Sequence, residues 1–297
     1  MARIVECVPN ISEGRRLDIV EQVLDTLRGK DGVKLLDYSS DADHNRTVIT
    51  LVGDPDAMKT ALVGFVGKAL ELIDLRDHHG QHPRMGAVDV IPFIPIKDMT
   101  KEDCVELSKD LAKTLYDTYG IPSFLYEDSA TAPHRQNLAT LRKGEFEGMA
   151  EKVKTEEFRP DFGDSIHESF GIVAIGARPF LVAFNVNLNT DDMEVANKIA
   201  KAVRHLSGGL RYVKGMGVKL EERGIVQVSM NCTDYTKTPL YRVFELVKLE
   251  ASRYGVSVVG SEIIGLVPMA ALIDTASWYL RTEDFQMDQV LERRLME

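Results

Sequence analysis

Cysteine is scarce here: Cys7, Cys104 and Cys232 are the only three in 297 residues, odd in number, far apart and set in apolar patterns. That spacing makes neither a disulfide framework nor a metal clip, and it suits the reduced core thiols of a cytosolic protein. Long apolar runs are also missing. None reaches the ~18 residues that a membrane span needs, and the chain opens directly on Arg3-Ile-Val-Glu-Cys-Val, with no basic region followed by an apolar one. A cytoplasmic setting is the expectation. Positive charge is in deficit: 36 Lys and Arg against 46 Asp and Glu leave a net charge of -10. This argues against nucleic acid or an anionic membrane surface as the main partner. An anionic substrate would need a local cationic cluster, and Arg46, Arg84 and Arg178, each next to a loop motif, are the first candidates. Nucleotide signatures are lacking as well. Gly208-Gly209 and Gly215-x-Gly217 stand without a Gly-Lys-Ser/Thr or a strand-turn-helix context, and no His-Glu-x-x-His occurs.

What is there is ordinary for a soluble globular protein, with 44% hydrophobic and 28% charged residues. The length suggests about two domains. The hydrophobic pattern agrees, because one order of elements occurs twice. A strand at 3 to 8, a helix through Val20, Val23, Leu24 and Leu27, and strands at 33 to 38 and 47 to 52 come first. A helix opened by Asp54-Pro55 and a strand from Val88 then complete β-α-β-β-α-β. The second pass has strand 180 to 188, helix 192 to 206, strands 212 to 220 and 225 to 231, helix 239 to 254 and strand 256 to 262. Two ferredoxin-like halves, 1–178 and 179–297, are therefore expected, an α/β (α+β) protein with helices on one face of each sheet. Residues 100 to 175 extend the first half, starting with a Thr100-x-x-Asp103 capping box.

In the second half, Phe180, Val182, Phe184 and Val186 share one strand face while Asn185 and Asn187 take the other. Gln227, Ser229 and Asn231 alternate likewise on a strand expected alongside. These amides and hydroxyls suit a hydrogen-bonding floor for a groove between the halves, although antiparallel sheets often simply expose one face.

The richest stretch is His78-His-Gly-Gln-His-Pro-Arg-Met-Gly-Ala-Val-Asp89, which places three imidazoles and a guanidinium in a helix-to-strand loop. Pro83 restricts His82 to extended backbone, and Gly80 and Gly86 let the chain turn on either side. Arg84 would favour a neutral imidazole, which suits a general base. A hydrogen-bonded structural histidine fits the same pattern. Asp41-Ala-Asp43-His44-Asn45-Arg46 could join this loop in a zinc or iron site. It could equally supply a carboxylate to orient an imidazole, with amide and guanidinium groups to hold a substrate. Gly163-Asp-Ser-Ile-His-Glu-Ser-Phe-Gly171 is, by itself, only a loop before a strand.

Taken together, the motifs resemble the glutamate formiminotransferase family. They are Glu6-Cys-Val-Pro-Asn-Ile-Ser-Glu-Gly14, Asn45-Arg-Thr-Val48, His82-Pro-Arg-Met-Gly-Ala-Val-Asp89, Pro92-Phe-Ile-Pro95, Pro160-Asp-Phe-Gly163, Gly176-Ala-Arg178, Ala183-Phe-Asn-Val-Asn-Leu188, Gln227-Val-Ser229, and Val259-Gly-Ser261 with Gly265-Leu-Val-Pro268. The resemblance covers nearly the whole chain, in order. It implies transfer of a formimino group between N-formimino-L-glutamate and tetrahydrofolate in histidine breakdown, two α/β subdomains enclosing a folate tunnel, and a homodimer. It puts the catalytic histidine on His82. It puts the folate-contacting segment on Gly163, Asp164, Ser165, Ile166, His167, Glu168, Ser169, Phe170 and Gly171, one residue shorter than in the animal bifunctional form. Substrate contacts are expected from Asn10, Asp43, His44, Asn45, Arg46, Arg84, Asn185 and Asn187. No metal is required. The chain ends without a cyclodeaminase domain, so deamination is expected on a separate protein. Related chemistries left open are formyl transfer, 5-formyltetrahydrofolate handling and metal-dependent hydrolysis.

Overall fold

The computed structural model describes residues 3–80 and 83–296. The chain forms two compact units, one ending at Arg178 and the next beginning at Pro179. In the first, β1 (Ile4–Cys7), β2 (Asn10–Ile11), α1 (Leu17–Asp25), β3 (Val33–Asp41), β4 (Arg46–Gly53), α2 (Pro55–Leu72) and β5 (Val88–Lys97) follow the expected order. The pairings β3 with β4, β4 with β1 and β2, and these two with β5 are all antiparallel. That is the ferredoxin-like arrangement, in which the first and third strands are central neighbours.

Local chemistry explains the boundaries. The Asp54 carboxylate accepts from the Asp56 and Ala57 N–H groups at 2.9 and 3.2 Å, with Pro55 in the first turn. It thereby satisfies donors that the start of a helix leaves orphaned. Met58, Leu62, Phe65, Val66 and Ala69 then bury one stripe of α2. The polar run Ser39–Arg46 is less of a loop than its composition suggests. β3 continues to Asp41 because Ser39 and Ser40 pair with Val48 and Thr47, and the Ser40 and Thr47 hydroxyls bond at 2.8 Å.

The extension consists of α3 (Lys101–Tyr119), β6 (Ser123–Glu127), α4 (Leu138–Arg142), α5 (Glu145–Lys152) and β7 (Val173–Ala177). Thr100 and Asp103 form the reciprocal box that starts α3, and Gly120, at φ 68°, ends it. β7 inserts between β5 and β6, parallel to both. Val5, Cys7, Leu51, Phe65, Phe93, Leu111 and Ile175 lie in the main core. Met85, Phe124, Tyr126, Leu141, Met149 and Ile172 form a second cluster with α4 and α5.

In the second unit, β8 (Val182–Leu188), α6 (Met193–Val203), β9 (Val213–Leu220), β10 (Ile225–Cys232), α7 (Leu240–Ser252) and β11 (Val258–Ile264) form an antiparallel sheet in the order β11-β8-β10-β9. This is the ferredoxin-like order again. α8 (Met269–Leu280) and α9 (Leu291–Met296) follow. Among the described residues, no helix is long and apolar enough to cross a membrane.

Candidate active site

The parallel pairing of β5 with β7 fixes the geometry of the first unit. Residues 78–87 lead into β5 and residues 163–171 lead towards β7, so both loops arrive at the same end of the sheet. Counting one residue or a short turn beyond each loop, three main-chain hydrogen bonds join Leu75, Met85 and Ala87 to Ser169, Phe170 and Ile172. Leu75 N–H donates to Ser169 O at 2.8 Å, Ala87 N–H to Phe170 O at 2.8 Å, and Ile172 N–H to Met85 O at 2.9 Å. Residues nearly a hundred positions apart in the sequence thus form one ridge.

The 163–171 segment is locally ordered by its own groups. His167 and Gly171 exchange both backbone hydrogen bonds at 2.9 Å, and His167 Nδ1 accepts from Phe170 N–H at 3.2 Å. Phe170 is buried, whereas Asp164, Ser165 and Glu168 face solvent; Glu168 pairs with Arg76 at 2.8 Å. Gly171, at φ 79°, passes so close to the Met85 carbonyl that a Cβ there would lie 2.1 Å from its oxygen. The start of the segment is fixed by Asp161, which accepts from the Leu125 N–H and from the Thr131 and Arg135 side chains.

The histidine-rich loop divides its labour. His78 is buried: its Nε2–H donates to the Asn45 carbonyl at 2.9 Å and its Nδ1 accepts from Arg84 Nε at 3.1 Å. Burial first, and then the Arg84 charge, hold its pKa below the ordinary histidine range despite the Asn45 bond. With both nitrogens committed, His78 is a neutral strut. His79 is exposed. His82, the candidate proton shuttle, lies outside the described residues.

Arg84 is buried, and all of its N–H donors are engaged, by the Nδ1 and carbonyl of His78 and by the carboxylates of Glu145 and Glu147. The hydrogen bonds to Glu147, above all, raise its pKa. Instead of facing a ligand carboxylate, Arg84 ties the loop to the first turn of α5. His79, Gly80, Arg84, Gly144, Glu145 and Glu147 line an open hollow of about 430 Å³.

Asn45 joins the other motifs to this loop. It takes a left-handed φ of 49°, a conformation asparagine tolerates better than most residues. Its Oδ1 accepts from Gly14 N–H at 2.9 Å and its Nδ2 donates to His79 O at 3.0 Å. Replacing Asn45 with alanine leaves the buried Gly14 N–H unpaired and removes the bond to the more exposed His79 carbonyl, and is expected to cost about 1–3 kcal/mol, most of it at Gly14. Urea denaturation measures this, and a loss below about 1 kcal/mol would mean the strut carries no load.

Asn10 is buried on β2 and donates to Val8 O at 3.1 Å. Asp43 is exposed, and the half-exposed His44 pairs with Asp41 at 2.9 Å. Arg46 is mostly covered, and its pKa is lowered first by burial and then by the nearby Arg142 charge, with Asp89 and Asp41 opposing. Asp89, 2% exposed in its side chain, is ion-paired with Arg142 and also accepts from Met85 N–H at 2.8 Å.

In the second unit, the polar alternation expected on β8 and β10 is present. Asn187 and Gln227 stand opposite each other, as do Asn185 and Ser229. Asn185, Asn187 and Gln227 are buried, whereas Asn231 is exposed. Gln227 Nε2 donates to Asn187 Oδ1 at 2.8 Å and to Glu262 at 3.1 Å, and Asn187 Nδ2 donates to Glu262 at 3.0 Å. Glu262, Arg142, Glu145 and Glu147 were not among the sequence candidates. Alternation along β11 could have pointed to Glu262, but no local signal marks the other three. Among the described residues, no group of three or more His, Cys, Asp or Glu is arranged to hold a metal ion.

The chain is thus a double ferredoxin-like α/β protein, with two loops joined at one end of its first sheet and a hydrogen-bonded amide-carboxylate cluster on its second. The chain belongs to the formiminotransferase family: the model of the formiminotransferase domain, N-terminal subdomain, matches residues 4–178, and that of the formiminotransferase domain matches residues 183–295. It is 55% identical to the glutamate formimidoyltransferase of Streptococcus pyogenes serotype M1, with 100% of both chains covered. It is 48% identical to the glutamate formimidoyltransferase of Thermoplasma acidophilum, over 98% of this chain and 97% of that one. The formimidoyltransferase-cyclodeaminase of Rattus norvegicus is 40% identical over 95% of this chain, but only 53% of its own length is covered.

Proposed function

We propose that this chain is a glutamate formimidoyltransferase, moving a formimidoyl (formimino) group between N-formimino-L-glutamate and tetrahydrofolate. The observation that carries this reading is the main-chain junction of 163–171 with 78–87, within a chain of this family. It joins the segment expected to touch folate to the loop expected to hold the acid-base residue.

The chemistry needs few groups. N5 of tetrahydrofolate attacks the formimidoyl carbon, forming an N5–C bond and a tetrahedral adduct. The bond from that carbon to the glutamate nitrogen then breaks. The proton lost by N5 must reach the departing nitrogen, so one group titrating near neutrality suffices, and His82 is assigned to it. His78, Arg84 and Asn45 hold the surrounding loop. No metal and no covalent intermediate on the protein enters the scheme, and holding two substrates together supplies much of the acceleration.

The proposal includes a cytoplasmic setting, suited to three buried free thiols at Cys7, Cys104 and Cys232. It includes a homodimer, supported by the exposed Leu272, Trp278, Leu280, Leu291 and Leu295 of the C-terminal helices. It assigns deamination of the product to a separate cyclodeaminase. The test is an assay of purified protein with tetrahydrofolate and either formiminoglutamate or formylglutamate. Turnover is expected with formiminoglutamate and to persist in chelator. Turnover with formylglutamate alone would move the assignment to formyl transfer, and loss of activity in chelator would favour a metal enzyme.

A further inference from the structure

β1 carries a carboxyl group that the scheme above does not use. Val5 and Cys7 point towards the helices, so Glu6 between them points to the opposite face, in register with Val52 of β4 and Ile94 of β5. Glu6 is 5% exposed. Its Oε2 is sealed from solvent without a hydrogen-bond partner among the described residues. A buried carboxylate without hydrogen bonds is costly, and native folds rarely keep one without a use. Burial pushes the pKa of Glu6 up to about 7, and the positive field of Arg178, just beyond β7, only partly opposes this. Cys7 is pushed up by burial and then by Glu6 itself, and the buried phenol of Tyr126 on β6 shares the field of Arg178.

The position is not part of the hydrophobic core. Alternation puts Asn10 of β2 and Arg46 of β4 on the same helix-free face, and both lie in motifs around the loops described above. A carboxylate presents two acceptors in one plane, and its best complement is a planar pair of N–H donors on one carbon. Each substrate of the proposed reaction has one such N–C–N unit. In tetrahydrofolate it is the 2-amino-pyrimidinone edge of the pteridine, and in formiminoglutamate it is the amidine itself. Resting on that functional reading, we propose that Glu6 is a substrate-contacting residue whose carboxylate accepts the paired N–H donors of an amidine-type group on one of the two substrates.

The test is calorimetric binding of tetrahydrofolate and of formiminoglutamate, each alone, to the full-length wild type, Glu6→Gln and Glu6→Asp. Glu6→Gln keeps the shape but sets an NH2 against a donor. It is expected to weaken one substrate at least tenfold and leave the other within twofold, and the substrate that weakens identifies the N–C–N unit in contact. For that substrate the wild type should bind more tightly as pH rises through about 7, because the ionised form is the acceptor. This pH dependence should vanish in Glu6→Gln and persist, at weaker affinity, in Glu6→Asp, which also serves if the glutamine variant does not fold. Wild-type-like affinity of either folded variant for both substrates would overturn the proposal. A wild type that binds neither substrate would sink the functional reading itself, a distinct result.

Discussion

His82→Ala is expected to lower kcat/KM for formimidoyl transfer by about 10²–10⁴-fold, the usual contribution of a positioned acid-base group. The argument is one of balance. N5 gains a bond and must lose a proton, and the glutamate nitrogen must gain one before it can leave at neutral pH. A single residue can do both if it titrates near 7, as imidazole does without perturbation. One competing histidine of the loop, His78, is disqualified by its bonds, since both of its nitrogens are occupied and its basicity is depressed. Tetrahydrofolate affinity and the melting temperature should change little in His82→Ala. Steady-state kinetics with formiminoglutamate decides the matter, and a variant that turns over within tenfold of wild type would remove His82 from the reaction.

The largest stability effect is expected at Arg142. The Asp89 carboxylate is 2% exposed in its side chain, and its ion pair is with Arg142, itself only 14% exposed. Replacing Arg142 with leucine leaves a buried negative charge with a single main-chain donor, Met85 N–H. Removing one partner of such a pair costs roughly 3–5 kcal/mol, whereas removing both costs much less. Arg142→Leu should therefore lower the urea midpoint strongly, and Asp89→Asn combined with Arg142→Leu should recover most of the loss. If the double variant is no more stable than the single one, the penalty has another source. Because Asp89 also holds Met85, whose carbonyl accepts from Ile172, the damage should spread to the junction of 78–87 with 163–171.

Much of this architecture is legible in the residues, for identifiable reasons. Asp54-Pro55 and Thr100 with Asp103 mark helix starts because a side-chain oxygen close in sequence satisfies the orphan N–H groups. The two β-α-β-β-α-β halves follow from apolar spacing alone, and so does the face shared by Asn185 and Asn187. Features that depend on distant partners were not legible. Arg84 sits in a loop that looks ready for a ligand, yet its carboxylate partners are 61 and 63 positions away at the start of α5. Nothing local marks His78 as a strut until Asn45 and Arg84 are placed around it. The strand after Gly171 is legible but its place is not, since Val173–Ala177 is a short apolar run whose parallel neighbours β5 and β6 are set by tertiary contacts.

That parallel strand also governs where the family can vary. In open parallel sheets the ligand usually gathers where strands finish, whereas here both candidate loops come before their strands. A residue gained or lost within 163–171 can be absorbed by a turn that closes on itself between His167 and Gly171, before the ladder begins at Val173. The same change inside Val173–Ala177 would exchange its two faces and turn Ile175 out of the interior. Length differences between relatives should therefore collect ahead of β7, altering the reach of the loop while the scaffold beneath it stays in step.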